Sequence, residues 1–291
     1  MTTRENHWIL LSKTFSPGMK NILDQHYFGA QFIALTGRYL IQQRGDDSNT
    51  SMVYDSHQQS LVGETFQDRF RLSLNLADLS LILHEKTSGD DPNSLIGLTW
   101  KEAYEMFRQM IINKGISHDN LKDELHYDLP DHELLSHGKF NYEGAALINE
   151  TIAQRHNADL ILNEVIANEH KADPIRIWPH HFDTGTIIPL GHSSSGELIQ
   201  SAGLGWAIPD TMVDEPYFYL SVWSKDKLKL PDKMPGLAAG NWMTPGWNGA
   251  VLKLSEIIAH DSAEAQYDLA ISFFTSGLQA IRQMFFSYNW R

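Results

Sequence analysis

The order of helical and strand-like segments is the feature that most limits what this chain can fold into. Long stretches with a helical hydrophobic period are separated by groups of short strand-like runs, and the two kinds do not alternate strictly. Strict alternation would favour a doubly wound parallel sheet, whereas grouped strands favour antiparallel pairing. The sequence therefore predicts an α+β fold in which largely antiparallel sheets pack against several long helices.

Capping signals predict where the helices begin. Ser16 followed by Pro17 is typical of a helix start, because proline is preorganised for the first helical position. Thr99 and Glu102 form a capping box, in which each side chain satisfies a backbone N–H at the helix start. Gly45, Asn141 and Ser262 are further candidate caps. The predicted helices span residues 17–45, 99–113, 141–167 and 262 onward.

Short apolar runs bounded by turn residues predict the strands. They lie at residues 60–66, 69–74, 78–84, 175–178, 184–190, 198–204 and 217–223. Residues 116–139 are predicted to be a polar loop with at most one helical turn. Residues 224–248 are predicted to be a long loop rich in proline, glycine and tryptophan, and loops of that length are often functional.

Chain length and the link between the halves predict the domain organisation. The 291 residues suit one large domain or two small ones. Two half-chain units are visible, at about 1–172 and 173–291, and the link near Pro174 is too short to separate independent domains. We therefore expect a single compact domain over residues 1–291.

Composition excludes several classes of protein. The formal net charge of −13, without a dense basic patch, argues against nucleic acid and anionic membranes as partners. The chain has no cysteine, which excludes disulfides, thiolate metal sites and cysteine nucleophiles. No apolar stretch reaches the length of a membrane span. We expect a soluble cytoplasmic protein; the sequence assigns no cofactor and leaves the oligomeric state open.

The densest chemical segment runs from Trp178 to Asp183. In an extended segment His181 and Asp183 would project to one side and His180 to the other. His181 and Asp183 would then share a metal or a substrate proton, and an imidazole–carboxylate pair suits zinc, manganese or iron. The same residues also fit a turn that is anchored in the core and tied by backbone hydrogen bonds.

Two later segments add aromatic and acidic candidates. Glu215 precedes a strand on which Tyr217 and Tyr219 share one face, where they would line a pocket for a flat or apolar ligand. Trp242 and Trp247 lie in the glycine-rich loop and would form a lid over that ligand. The alternatives are a half-buried strand and a loop that covers a sheet edge.

In order, these segments resemble a bacterial protein family without an established activity. Its pattern is tryptophan–proline–x–histidine–phenylalanine–aspartate, then glutamate–proline–tyrosine–x–tyrosine, then a tryptophan-rich turn before the last helix. The matching residues are Trp178, Pro179, His181, Phe182 and Asp183, then Glu215, Pro216, Tyr217 and Tyr219, then Trp247, Gly249 and Ala250. The resemblance covers residues 175–260 and implies a shared fold and a shared pocket.

The leading functional hypothesis is an enzyme or small-molecule binder. His181 would act as ligand or general base, Asp183 would orient it, and Glu215 would be a second acid or base. The walls would be Trp178, His180, Tyr217, Tyr219, Trp242 and Trp247. One alternative is a non-catalytic interaction protein in which these segments are core and turn signatures. Another is a metal-dependent hydrolase that uses residues 126–132 together with the His180 segment.

Overall fold

The chain forms two compact units of helices and antiparallel strands. The computed structural model describes residues 8–86, 91–226, 230–231 and 233–287, with backbone alone described at 286 and 287. The first unit comprises Ser16–Ile152 and Arg176–Phe182, and the second comprises Met1–Phe15, Ala153–Ile175 and Asp183–Arg291. The predicted α+β class is confirmed.

The first unit contains a sheet that is antiparallel throughout. Its elements are α1 (Pro17–Leu40), a 3₁₀ turn (Ser48–Thr50), β1 (Met52–Asp55), β2 (Ser60–Gly63), β3 (Phe70–Asn75), β4 (Ser80–Glu85), β5 (Asn93–Ser94), α2 (Trp100–Asn113), a second 3₁₀ turn (Glu133–Leu135), the first part of α3 (Ala145–Ile166) and β6 (Arg176–Trp178). The strand order is β6-β1-β2-β3-β4-β5.

The second unit contains the remaining strands and the C-terminal helices. Its elements are the rest of α3, β7 (Asp183–His192), β8 (Leu198–Ala207), β9 (Tyr217–Ser224), β10 (Asn241–Trp242), β11 (Gly249–Lys253), α4 (Leu254–Ile258) and α5 (Ala263–Ser287). The strand order is β10-β11-β9-β8-β7, with antiparallel neighbours. Helix α5 packs on this sheet, where the Phe218 and Phe274 rings lie 5.6 Å apart.

Helix α1 starts where the sequence predicts and ends earlier. The Ser16 hydroxyl accepts the backbone N–H of Met19 at 3.3 Å, with Pro17 at the first helical position. The predicted end at Gly45 is wrong, since the helix ends at Leu40. The side-chain amide of Asn49 donates to the carbonyl of Gly37 at 3.0 Å and so satisfies one of the terminal carbonyls. The cap therefore comes from a residue outside the helix.

The capping box of α2 and the start of α5 are confirmed, whereas the start of α3 is not. The Ser262 hydroxyl accepts the backbone N–H of Ala265 at 3.2 Å. Helix α3 begins at Ala145, after Gly144 with its positive φ of 95°. The proposed cap Asn141 instead donates its backbone N–H to the buried Gln25 side chain of α1 at 3.1 Å.

The seven predicted strands are confirmed, with boundaries that shift by a few residues. The prediction missed β1, β5, β11 and α4, and it placed β10 inside a loop. Strand β11 is a buried run of only five residues directly after that loop, and so short a run has no diagnostic period. Among the described residues, none of the helices combines the length and apolar composition needed to cross a membrane.

Candidate functional site

The segment from Trp178 to Asp183 forms a turn that presents two histidines to solvent. The backbone N–H of Phe182 donates to the carbonyl of Trp178 at 2.7 Å, and Phe182 has a left-handed φ of 56°. The His180 and His181 rings are in contact, with centroids 4.5 Å apart, and both side chains are exposed. The extended geometry predicted for this segment, which separates His180 from His181, is therefore wrong.

Burial of the Phe182 ring explains why the segment turns. The side chain is fully buried and packs edge-on against Tyr27 of α1, with ring centroids 5.7 Å apart. A left-handed conformation costs a non-glycine residue about 1–2 kcal/mol. Burying a phenylalanine side chain stabilises by about 1.5–3 kcal/mol, so the anchored turn is the better solution. As a result, the two preceding histidines lie on the solvent-exposed side of the turn.

A buried glutamine of α1 fixes this turn to a distant loop. The side-chain amide of Gln31 donates to the carbonyls of Pro179 at 3.1 Å and Tyr27 at 2.9 Å. Its carbonyl oxygen accepts the hydroxyl of Tyr127 at 2.7 Å. The Tyr127 ring also contacts that of His180, with centroids 5.9 Å apart. One amide therefore couples the histidine turn to the loop that carries Tyr127.

The hydroxyls of Tyr27 and Tyr127 are held in their neutral form by burial. Burial raises the pKa of Tyr27 to about 12. Burial also raises the pKa of Tyr127, and the nearby Tyr27 raises it further. Within the part of the chain that the structure describes, the Tyr27 hydroxyl is buried without a hydrogen-bond partner. Such a group needs an explanation, because an unsatisfied buried hydroxyl costs free energy.

A cavity of about 250 Å³ lies in the first unit, between the start of α2 and the loop that follows it. The Trp100 ring stacks on Phe32, with centroids 5.0 Å apart. Its indole N–H donates to both carboxylate oxygens of Asp123 at 2.9 Å. The lining residues are Trp100, Asp123, Leu125, Tyr127, Asp128, Leu129 and Leu135. Because Tyr127 belongs to this wall, the cavity and the histidine turn share a residue.

The histidines of the same loop do not converge on a common point. His126 lies 3.4 Å from a carboxylate oxygen of Asp47, and His132 lies 3.6 Å from one of Asp24. The Nδ1 of His132 also accepts the backbone N–H of Leu134 and so caps the second 3₁₀ turn. Across the described residues no group of three or more His, Asp or Glu side chains is placed to hold a metal ion. The hydrolase interpretation therefore lacks a ligand set.

In the second unit, Asp183 of β7 and Tyr219 of β9 form a hydrogen-bonded pair. The Tyr219 hydroxyl donates to the Asp183 carboxylate at 2.5 Å. Gly185, Gly205 and Tyr219 are neighbours in the register of β7, β8 and β9. A Cβ on Gly185 would lie 2.6 Å from the Tyr219 hydroxyl, and one on Gly205 would overlap the Tyr219 ring. The two glycines therefore leave the space that the tyrosine occupies.

A second tyrosine–carboxylate pair lies beside the first. Tyr217 donates its hydroxyl to Asp210 at 2.7 Å, and the other carboxylate oxygen of Asp210 accepts the backbone N–H groups of Met212 and Val213. Burial raises the pKa of both Tyr217 and Tyr219, and the facing carboxylates add to both effects. Both hydroxyls are therefore neutral donors to fixed acceptors.

The two tryptophans of the long loop contact separate parts of the second unit. The Trp247 ring meets Tyr219 edge-on with centroids 6.4 Å apart, and it covers Gly249. Trp242 donates its indole N–H to the carbonyl of Pro235 at 2.8 Å. The predicted aromatic face of β9 is thus a small packed cluster in which Trp247 covers Tyr219.

Glu215 has hydrogen-bonding partners at the start of α4. One carboxylate oxygen accepts the backbone N–H of Ser255 at 2.7 Å, and the other accepts its hydroxyl at 2.8 Å. A carboxylate at a helix start satisfies orphan N–H groups there. This arrangement gives Glu215 a structural role whether or not it also takes part in chemistry.

The candidates from the sequence are divided between the two units. Trp178, His180 and His181 belong to the first unit, and the remaining six belong to the second. The sequence missed Tyr27, Gln31, Trp100 and Asp123, and it considered Tyr127 only as part of the 126–132 segment. Polar residues within the apolar stretch of α1 were the available signal for Gln31, because a buried amide needs specific partners.

Comparisons with protein-family models, with curated proteins and with solved structures found no match for this chain.

Proposed function

We propose that the protein binds a small organic molecule in the first unit, at the cavity lined by Trp100, Asp123 and Tyr127. The observation that supports this proposal is the shared position of Tyr127. Its ring lines the cavity and contacts His180, while its hydroxyl binds the glutamine that holds the turn. Binding sites combine an apolar wall with a few fixed polar groups, and this cavity has both.

Among the candidates from the sequence, His181 is the residue best suited to proton transfer. It is exposed, and its ring contacts the ring of His180. A general base must reach its substrate, and exposed imidazoles do so without rearrangement of the core. The catalytic roles of Asp183 and Glu215 stay predictions, and each has the structural role described above.

A fragment screen by ligand-observed NMR tests this proposal. We expect fragments to bind the wild-type protein and not to bind the Tyr127→Ala variant. Tyr127→Phe removes only the hydroxyl that binds Gln31. It therefore distinguishes the contribution of the Tyr127 ring to binding from that of its hydrogen bond. A wild-type protein that binds no fragment, or fragments that bind Tyr127→Ala equally well, would overturn the proposal.

The rival, a non-catalytic interaction protein, predicts a different response at His181. If His181 had a structural role, its removal would lower the free energy of unfolding. Because His181 is exposed, we expect His181→Ala to change the free energy of unfolding by less than about 0.5 kcal/mol. His137→Ala, at another exposed histidine, is the matched control. A loss of several kcal/mol for His181→Ala alone would favour the rival.

Three further predictions remain open. They are membership in the bacterial family that the motifs resemble, a cytoplasmic location, and the absence of a nucleic-acid partner. The last two rest on the absence of cysteine and on the formal charge of −13. Separate fractionation and binding experiments test them.

A further inference from the structure

We propose that the cavity of the first unit selects an organic cation, in which an ammonium group is attached to a small apolar or aromatic body. This inference rests on the proposed function, because it names the ligand class of the same site. Its basis is the combination of two carboxylates, two aromatic rings and three leucines around one cavity of about 250 Å³. Pockets for drug-sized ligands are usually larger, at about 300–1,000 Å³, so the ligand is small.

The carboxylates give the cavity a negative field. Asp123 and Asp128 both line it, and among the described residues no lysine or arginine forms an ion pair with either. Partial burial raises the pKa of Asp123, and the charges of Glu105 and Glu124 raise it further. Arg108 of α2 pairs with Glu105 at 3.8 Å. A bound cation would supply the charge that these neighbours do not.

The aromatic wall is fixed before a ligand arrives. Trp100 is held by its stack on Phe32 and by its indole hydrogen bond to Asp123. Tyr127 is held by its hydroxyl bond to Gln31. Aromatic rings attract ammonium groups through their quadrupole, and a rigid wall avoids an ordering penalty on binding. Leu125, Leu129 and Leu135 complete the apolar surface.

Other ligand classes fit the cavity less well. An anion would face two carboxylates. A divalent metal needs at least three converging ligands, and the described residues offer no such group. A neutral apolar molecule would leave the Asp123 carboxylate without a cation. The organic cation is the class that uses both the charge and the rings.

The test compares three probes of similar shape: benzylammonium, benzyl alcohol and benzoate. Each is titrated into the full-length protein, and the indole N–H resonance of Trp100 is followed by NMR, with Trp100→Phe used for its assignment. This proton bonds to Asp123, so an ammonium at Asp123 shifts it. We expect benzylammonium to bind about tenfold or more tightly than benzyl alcohol, and benzoate not to bind.

Asp123→Asn is the decisive variant, because asparagine keeps an acceptor for Trp100 and removes the charge. We expect it to weaken benzylammonium binding by about tenfold or more and to leave benzyl alcohol unchanged. Asp119→Asn, at an exposed aspartate earlier in the same loop, is the control and should change neither.

The outcomes separate this inference from the proposed function. Equal binding of benzylammonium and benzyl alcohol, with both lost in Tyr127→Ala, would overturn the cation inference and leave the small-molecule site. An effect of Asp119→Asn equal to that of Asp123→Asn would also overturn it, since attraction would then come from the general negative charge. If no probe and no library fragment binds, both proposals fail.

Discussion

Tyr219 shows how one side chain determines the residues on two neighbouring strands. Its ring lies across Gly205 and its hydroxyl lies beside Gly185, where it reaches Asp183. Alanine at either glycine would place a Cβ in space that the tyrosine already fills. The requirement for glycine here is one of close approach, since neither glycine has a positive φ.

We predict that Gly185→Ala destabilises the protein by about 1–3 kcal/mol through overpacking. Tyr219→Phe should cost about 1–2 kcal/mol, because it removes the hydrogen bond to Asp183. In the double variant the new methyl group meets no hydroxyl. The double variant should therefore lose at least about 0.5 kcal/mol less stability than the sum of the two single losses. Urea unfolding of the four proteins gives this coupling.

The control for that cycle is Gly236→Ala, which has open space around its Cβ and no positive φ. It should be close to neutral. Strict additivity of Gly185→Ala and Tyr219→Phe would mean that the hydroxyl does not fill the space above Gly185.

Asp159 of α3 is predicted to make stability depend on pH. Burial raises the pKa of this carboxyl from its ordinary value of 3.8 to about 6. The neutral form is therefore favoured in the folded state, and wild-type stability falls as pH rises through this range. Asp159→Asn should be more stable at pH 8 by about 1–2 kcal/mol, after allowance for partial exposure.

The gain from Asp159→Asn should vanish below the unfolded pKa of 3.8, where both proteins are neutral at this position. Thermal melts over a pH series measure it. Asp268→Asn, at an exposed position on α5, is the control and should show no such pH dependence. A constant difference at all pH values would show that the substitution acts through packing.

Among the elements, α1 is unusual because it is buried on every side over residues 25–37. A helix of that kind cannot be recognised from an amphipathic stripe alone. Its start followed from Ser16 and Pro17, since those signals are local. Its end did not, because the capping amide belongs to Asn49, which lies 12 residues beyond Gly37.

Two glycines of α1 give a matched pair of predictions. A Cβ on Gly37 would lie 2.6 Å from the Cα of Thr50 and would also overlap the Asn49 carbonyl, and a backbone cannot move aside as a side chain can. We expect Gly37→Ala to destabilise by about 3 kcal/mol. Gly29→Ala meets only the ends of leucine side chains, at 3.1–3.3 Å.

The helix propensity of alanine offsets that mild crowding, so Gly29→Ala should change stability by less than about 1 kcal/mol. Chemical denaturation of both variants measures the contrast. Equal effects would mean that the contact between the end of α1 and the Asn49–Thr50 backbone is not rigid.

Across the whole molecule, the sequence predicted elements better than it predicted the site. Helix starts and paired strands follow from caps and local periodicity. The Phe182 turn depends on a ring buried against α1, and the cavity depends on a loop fixed by Gln31. Neither contact leaves a local pattern, because their partners are more than 90 residues apart. Trp100 and Asp123 lie only 23 residues apart, but no local sequence pattern links an indole N–H to its acceptor, so this pair was not predicted either.

The second unit also joins the two ends of the described chain. The amide of Gln266 on α5 makes four hydrogen bonds: its Nε2 donates to the carbonyls of Leu11 and His260, and its Oε1 accepts from the Leu11 backbone and the Trp8 indole. These bonds use the full capacity of an amide, and the side chain is completely buried. The N-terminal segment is therefore attached to α5 through both backbone groups of Leu11 and the indole of Trp8.

We predict that Gln266→Ala lowers the free energy of unfolding by about 2–4 kcal/mol, because it leaves buried backbone groups of the N-terminal segment unsatisfied. Local opening should accompany this loss, so the Leu11 amide should exchange with deuterium faster than the amides of β8 in the same unit. Gln279→Ala, exposed on the same helix, is the control and should change neither quantity. Unchanged protection of Leu11 in Gln266→Ala would show that the apolar contacts of Trp8 and Leu11 hold the segment without the amide.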